Sequence, residues 1–211
     1  MSWIVNDIKE ALKKYSKLKL IKKQNIVKGD IDIINPKTKR ILDSYSLIIS
    51  FPNEYPFTKL PIVKEIDGKI PRSPDRHIYE DGGFCLTAPI QELLICKQGI
   101  NFTKFLDKIV VPFLASQLAI SLGWLTEFPQ GEFSHGDKGI YESYCDFFKI
   151  SDVEKIIAGI KISMQRNQRN SICFCGSKNK LKKCHLQKVM DLRGLGKSKL
   201  LSDLKTMEKL L

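Results

Sequence analysis

Residues 51–88 run FPNEYPFTKLPIVKEIDGKIPRSPDRHIYEDGGFCLTA, and the fold hangs on them. Pro52, Pro56, Pro61, Pro71 and Pro74 remove backbone donors and fix φ, so neither a long helix nor a long strand fits here. Short apolar pieces survive between them, Pro61-Ile62-Val63 above all. The run predicts a long, irregular, ordered loop, and such loops often carry function. Two of its residues bear chemistry. His77 stands eight positions before Cys85, which closes Gly82-Gly83-Phe84-Cys85-Leu86. A thiol at the end of a glycine-bearing loop is accessible, and Arg72, Arg76 or His77 nearby would favour its thiolate. The alternative is that Cys85 is a small buried hydrophobe.

Before the loop, Val5, Ile8, Leu12 and Tyr15 recur at helical spacing, so residues 2–18 predict an amphipathic helix. Segments rich in Ile, Val and Tyr then predict strands at 18–27, 29–35, 40–51 and 61–66, with turns at Asn35-Pro36 and Asp67-Gly68. After the loop, Phe102, Phe105, Leu106, Ile109, Val110, Phe113 and Leu114 predict a helix. Pro112 should kink or divide it, since an interior proline costs ~3 kcal/mol. A glycine-containing loop at 128–140, with His135 in it, precedes another helix. Ser151-Asp152-Val153-Glu154 predicts a capping box opening a further helix. Residues 166–171 predict a polar linker, and 187–211 a basic amphipathic helix with Leu200, Leu201, Leu204, Met207 and Leu211 on one stripe. Helix, antiparallel meander, loop, helices: this is an α+β chain.

The strongest local motif follows the linker. Cys173-Phe174-Cys175-Gly176-Ser177 is followed, after 178–183, by Cys184-His185. Three thiolates and one imidazole suit tetrahedral zinc, and Gly176 allows the tight turn that brings both cysteines onto one ion. So short a segment has no core of its own, so metal must supply most of its folding energy. The pattern closely resembles the SEC-C motif, found at the end of the translocation ATPase SecA and in many unrelated proteins. Lys178 stands where that family usually has glycine. The resemblance implies a zinc site at Cys173, Cys175, Cys184 and His185, and specifies no activity.

Charge is placed at the ends. Of a net +12 over 211 residues, residues 1–28 hold eight lysines against Asp7 and Glu10. Residues 166–211 hold twelve Lys and Arg against Asp191, Asp203 and Glu208, so the middle is close to neutral. Such ends steer a protein to nucleic acid or an acidic partner, or are simply a solvated surface in a lysine-rich chain. Residues 1–20 carry Asp7, Glu10 and lysines where a signal peptide needs an apolar core of roughly 7–15 residues. Residues 109–126 lack charge but hold Pro112 and Gln117, and predict a buried core helix rather than a membrane span. The six cysteines form no disulfide framework, which suits a reducing cytoplasm. Cys96 and Cys145 read as core or incidental.

The order of elements around residues 1–150 resembles the ubiquitin-conjugating (UBC) fold. In that family a Tyr-Pro-Phe segment and a proline-flanked strand precede a histidine, and Gly-x-x-Cys-Leu follows. Tyr55-Pro56-Phe57, Pro61-Ile62-Val63, His77 and Gly82-Gly83-Phe84-Cys85-Leu86 fill those places. The resemblance implies that Cys85 is the thioester-forming nucleophile. It departs at Asp75-Arg76-His77-Ile78, where the family carries His-Pro-Asn with the asparagine donating to the oxyanion. His77 is either structural, holding the loop, or acts beside Cys85. His135 could reach the active face.

Within that group the chain is similar to the conjugating-enzyme-like proteins of short type II CBASS antiphage operons. Membership implies a thioester between Cys85 and the C-terminal glycine of a cGAS-like nucleotidyltransferase, which it conjugates or primes. Three functions compete: a thioester-handling transferase, a catalytically silent protein-binding adaptor on the same fold, and a nucleic-acid-binding module. Four segments follow: 1–150 UBC-like, 151–170 helix and linker, 171–186 zinc knuckle, and 187–211 basic helix. Gly194-Leu195-Gly196-Lys197-Ser198 ends like a phosphate loop, but Asp191 occupies the required first glycine and no strand precedes it.

Overall fold

Helix α1 (Ser2–Lys14) buries Ile8 and Ala11 and leaves Lys9, Lys13 and Lys14 in water. Strands β1 (Leu18–Ile21), β2 (Ile26–Ile34), β3 (Ile41–Ser50) and β4 (Ile62–Glu65) form one antiparallel sheet in sequence order. Val27 pairs with Ile49 and Ile31 with Tyr45, while Ile49 also pairs with Val63. All five are buried, so one sheet face is lined by alternate residues of three strands. The expected strand over 18–27 is broken at residues 22–25 by a tight turn. Asn25 there takes a left-handed φ of 50°, which Asn tolerates and an apolar pattern does not reveal. The Asn35-Pro36 turn forms as expected: the Asn35 side chain accepts from the N–H groups of Lys37 (2.9 Å) and Thr38 (3.0 Å).

The computed structural model describes residues 2–128, 134 and 136–211, and the side chains of all of these except residues 2 and 3. Two units emerge, Met1–Thr87 with Ile95–Gly131, and Ala88–Leu94 with Glu132–Leu211. Helix α2 (Pro89–Lys97) therefore contributes residues to both. The boundary at 150 expected from the sequence differs from this division. Helix α5 (Gly136–Phe148) shares its core with residues beyond 150.

In the first unit, α3 (Phe102–Phe105) and α4 (Val111–Ser121) are joined by a widened turn at Leu106–Val110. There the Val111 N–H reaches the Leu106 carbonyl, five residues back. Pro112 has no N–H, and its ring would collide with the carbonyl four residues earlier; the widened turn accommodates both. Leu106, Val110 and Leu114 are fully buried, while Leu122 and Trp124 beyond the helix end are exposed. Among the described residues no helix is long and apolar enough to cross a membrane. Asp7 of α1 ties the unit together, accepting from Tyr55 Oη (3.0 Å) and the Phe102 N–H (2.9 Å).

The second unit is helical. Helices α5 (Gly136–Phe148), α6 (Val153–Ser163), α7 (Leu186–Leu192) and α8 (Lys197–Glu208) surround Tyr144, Phe148, Ile156, Ile160, Leu192 and Met207. The cap of α6 is Asp152, not Ser151: its carboxylate accepts from the Lys155 N–H at 3.1 Å. The single helix expected over 187–211 is two. Gly196 (φ 81°) breaks it, a conformation that side chains rarely adopt. Leu200, Leu204 and Met207 of the expected stripe are buried in this core, whereas Leu201 and Leu211 are exposed. The polar linker is also ordered. Lys182 N–H bonds the Arg169 carbonyl (3.0 Å), and Leu181 N–H the Ser171 carbonyl (2.8 Å).

Candidate functional site

The knuckle is a small β-turn structure. Ile172 and Lys180 form an antiparallel bridge, and the Cys173 N–H bonds the Asn179 carbonyl at 2.8 Å. Gly176 (φ 87°) and Lys178 (φ 60°) both take the left-handed region, so the backbone there asks for glycine twice and the sequence supplies it once. A one-turn helix at Leu181–Lys183 then delivers Cys184 and His185, with Leu181 buried beneath.

Four ligand atoms converge. The sulfurs of Cys173, Cys175 and Cys184 and a ring nitrogen of His185 all lie within 4.8 Å of one another. Cys175 Sγ is 3.5 Å from Cys184 Sγ, while His185 Nδ1 is 3.3 Å from Cys173 Sγ and 3.1 Å from Cys184 Sγ. A tetrahedral ion with bonds of ~2.3 Å to sulfur and ~2.0 Å to nitrogen separates its ligands by about 3.5–3.8 Å, close to these values. His185 Nε2 lies 3.1 Å from the Phe148 carbonyl oxygen. Donation from Nε2–H leaves Nδ1 as the ligating atom.

The thiols are electrostatically unequal. Burial pushes Cys173 up to about 12. At Cys175 burial also acts upward, but hydrogen bonds from the Ser177 hydroxyl and backbone, and from the other two cysteines, bring it down to about 6. One negative charge is thus favoured, and three thiolates together call for a cation. The set can hold a metal ion.

Aromatic rings seat the knuckle on its own unit. The Phe174 ring lies between the first two cysteines in sequence, 5.0 Å from Phe148 and 5.1 Å from His185. A Cβ on Gly159 would come within 2.8 Å of Phe174 and 2.9 Å of Phe148. The spacing of Cys173, Cys175, Cys184 and His185 singled out the four residues that cluster, but gave no sign of this aromatic seat. A glycine inside an apolar helix was its one available signal.

Cys85 lies in the first unit on a short hairpin. Its N–H bonds the His77 carbonyl at 2.8 Å, Ile78 bridges Phe84, and the turn closes through Gly82 N–H to the Tyr79 carbonyl at 2.9 Å. The second arm pairs with β4 through Phe84 N–H to the Val63 carbonyl, also at 2.9 Å. Cys85 is the last paired residue of that arm and is partly exposed. His77 is therefore its backbone neighbour, with φ 51° and its ring edge-on to Phe128 at 5.0 Å.

The positive groups expected to act on the thiol have other partners. Arg76 donates to Gln117 Oε1 (2.8 Å), the Gln117 carbonyl (3.1 Å) and Ser121 Oγ (2.7 Å). Gln117, fully buried, returns a bond to the Arg76 carbonyl at 2.5 Å. Arg72 donates to the Glu80 carbonyl at 3.0 Å. This network fastens the loop to α4. Cys96 is buried in the first core, and Cys145 packs partly buried against the second. His135 lies outside the described residues. Gly196-Lys197-Ser198 opens α8 with no preceding strand among the described residues of its unit.

Residues 169–187 match the SEC-C motif family. No curated protein and no solved structure matches the chain.

Proposed function

We propose that this is a cysteine-dependent acyl-transfer protein on a UBC-like α+β domain, with a closed structural zinc centre in its second unit. The observation that carries the first part is the position of Cys85. It ends a hairpin pinned to its own first arm and to β4, so the side chain springs from a fixed base on a partly exposed residue. In the reaction, Cys85 Sγ bonds the carbonyl carbon of an activated C-terminal glycine and expels its activating group. An amine then attacks the thioester, forming an amide and returning the thiol. A separate enzyme must supply the activated carboxyl. The Cys85 N–H is committed to His77, so the oxyanion donor comes from another group.

The resemblance to CBASS conjugating-enzyme-like proteins supports a cGAS-like nucleotidyltransferase as the acyl donor, and the cytoplasm as the setting. At the knuckle, four protein ligands leave no open position, which suits a structural rather than a catalytic zinc.

A silent adaptor is the second reading, favoured by the use of Arg76 and the Cys85 N–H in holding the loop. Cells carrying the intact operon separate the two. The transferase reading expects a covalent adduct cleaved by thiol reductant at neutral pH, absent in Cys85→Ala and lost or reductant-resistant in Cys85→Ser. Cys96→Ala and Cys145→Ala should retain it. No adduct in the wild type, with full biological activity in Cys85→Ala, would establish the adaptor.

A further inference from the structure

The last carbonyls of a helix have no partner within it and carry partial negative charge. In the second unit, basic side chains from residues 185–193 meet them. Lys188 Nζ bonds the Phe147 carbonyl (2.5 Å) and His185 Nε2 the Phe148 carbonyl (3.1 Å), both at the end of α5. Arg193 bonds the carbonyls of Ser163 (3.1 Å) and Gln165 (2.7 Å) at and beyond the end of α6.

His185 differs from the other two because its second nitrogen faces the cysteine cluster. A neutral imidazole has one N–H and one lone pair. With Nε2–H given to Phe148, Nδ1 offers its lone pair among the sulfurs. An ion held at Nδ1 fixes both the tautomer and the ring angle, and so holds the donor on the helix end. Phe174 reinforces the link, since it touches the Phe148 and His185 rings and rests against Gly159 of α6.

We propose that His185 couples the metal centre to the end of α5, so that ion binding and closure of the second helical core are one cooperative step. The knuckle is then a clasp on helices α5 and α6 and not an autonomous module. This rests on the metal reading above, and the test separates the two.

His185→Cys in the full chain keeps four ligands and removes the Nε2–H donor. The variant should still bind one zinc ion, but about 10–100-fold more weakly in competition with a chelator. Amide hydrogens at 144–150 should exchange at least about tenfold faster than in the zinc-loaded wild type. Equal zinc affinity and equal protection would overturn the clasp while leaving the metal reading intact. A wild-type chain that binds no zinc would remove both. If the variant fails to fold, nitrogen NMR of the zinc-loaded wild type decides. A metal-bound Nδ1 with a slowly exchanging Nε2–H supports coupling, whereas ligation through Nε2 refutes it.

Discussion

The Phe174 ring meets the Phe148 ring edge-to-face at 5.0 Å, at an interplanar angle of 69°, and Gly159 makes room for both. In an isolated helix, alanine is more stable than glycine by about 1 kcal/mol. Here the added methyl carbon would lie 2.8–3.0 Å from ring atoms of two well-packed aromatics. The usual sign should reverse. Gly159→Ala is expected to destabilise the second unit by about 1–3 kcal/mol, read from denaturant midpoints at constant slope.

Lys178 gives the opposite expectation. A side chain at φ 60° costs roughly 1–2 kcal/mol, of which glycine's extra chain entropy offsets about half. Lys178→Gly should therefore tighten zinc binding severalfold in a chelator competition. A weaker site would mean that the lysine side chain contributes something the backbone argument omits.

Gln117 fastens the loop that carries His77 and Cys85. Gln117→Leu keeps much of the volume but leaves the Arg76 carbonyl and guanidinium short of partners. The expected loss is about 1.5–3 kcal/mol of stability, with faster alkylation of the Cys85 thiol as the loop loosens. Unchanged alkylation with lowered stability would confine Gln117 to a packing role.

Acid should weaken the first unit through Asp107. Burial acts to raise its carboxyl, but bonds from Lys14 Nζ and Tyr15 Oη outweigh this and hold it below the usual range. A depressed folded-state value means the stabilisation is full above the unfolded value of ~3.9 and disappears as pH falls through the folded one. Thermal unfolding between pH 5 and pH 2, starting about a unit above that unfolded value, should show a shallower stability loss in Asp107→Asn than in the wild type.

The sequence disclosed what depends on spacing. The antiparallel meander followed from short segments rich in Ile, Val and Tyr with turns between them, and the clustered residues from Cys-x-Cys-Gly-Ser with Cys-His. What it concealed depends on close approach between distant residues. The 187–211 stripe reads as one free helix until Gly196 breaks it and the second core takes up Leu200, Leu204 and Met207. Residues 166–171 read as a linker because their polar side chains hide that their carbonyls bond the knuckle. Phe148 packs in the second core, yet its carbonyl is also the partner of the candidate ligand His185. Backbone atoms leave no mark in a sequence.

The four-ligand centre can be tested on the purified chain by X-ray absorption at the zinc edge, with metal content measured alongside. One zinc per chain is expected, with three sulfurs at ~2.3 Å, one nitrogen at ~2.0 Å and no oxygen ligand. A chain without bound zinc, or a shell containing water or fewer than three sulfurs, would contradict the four-ligand centre.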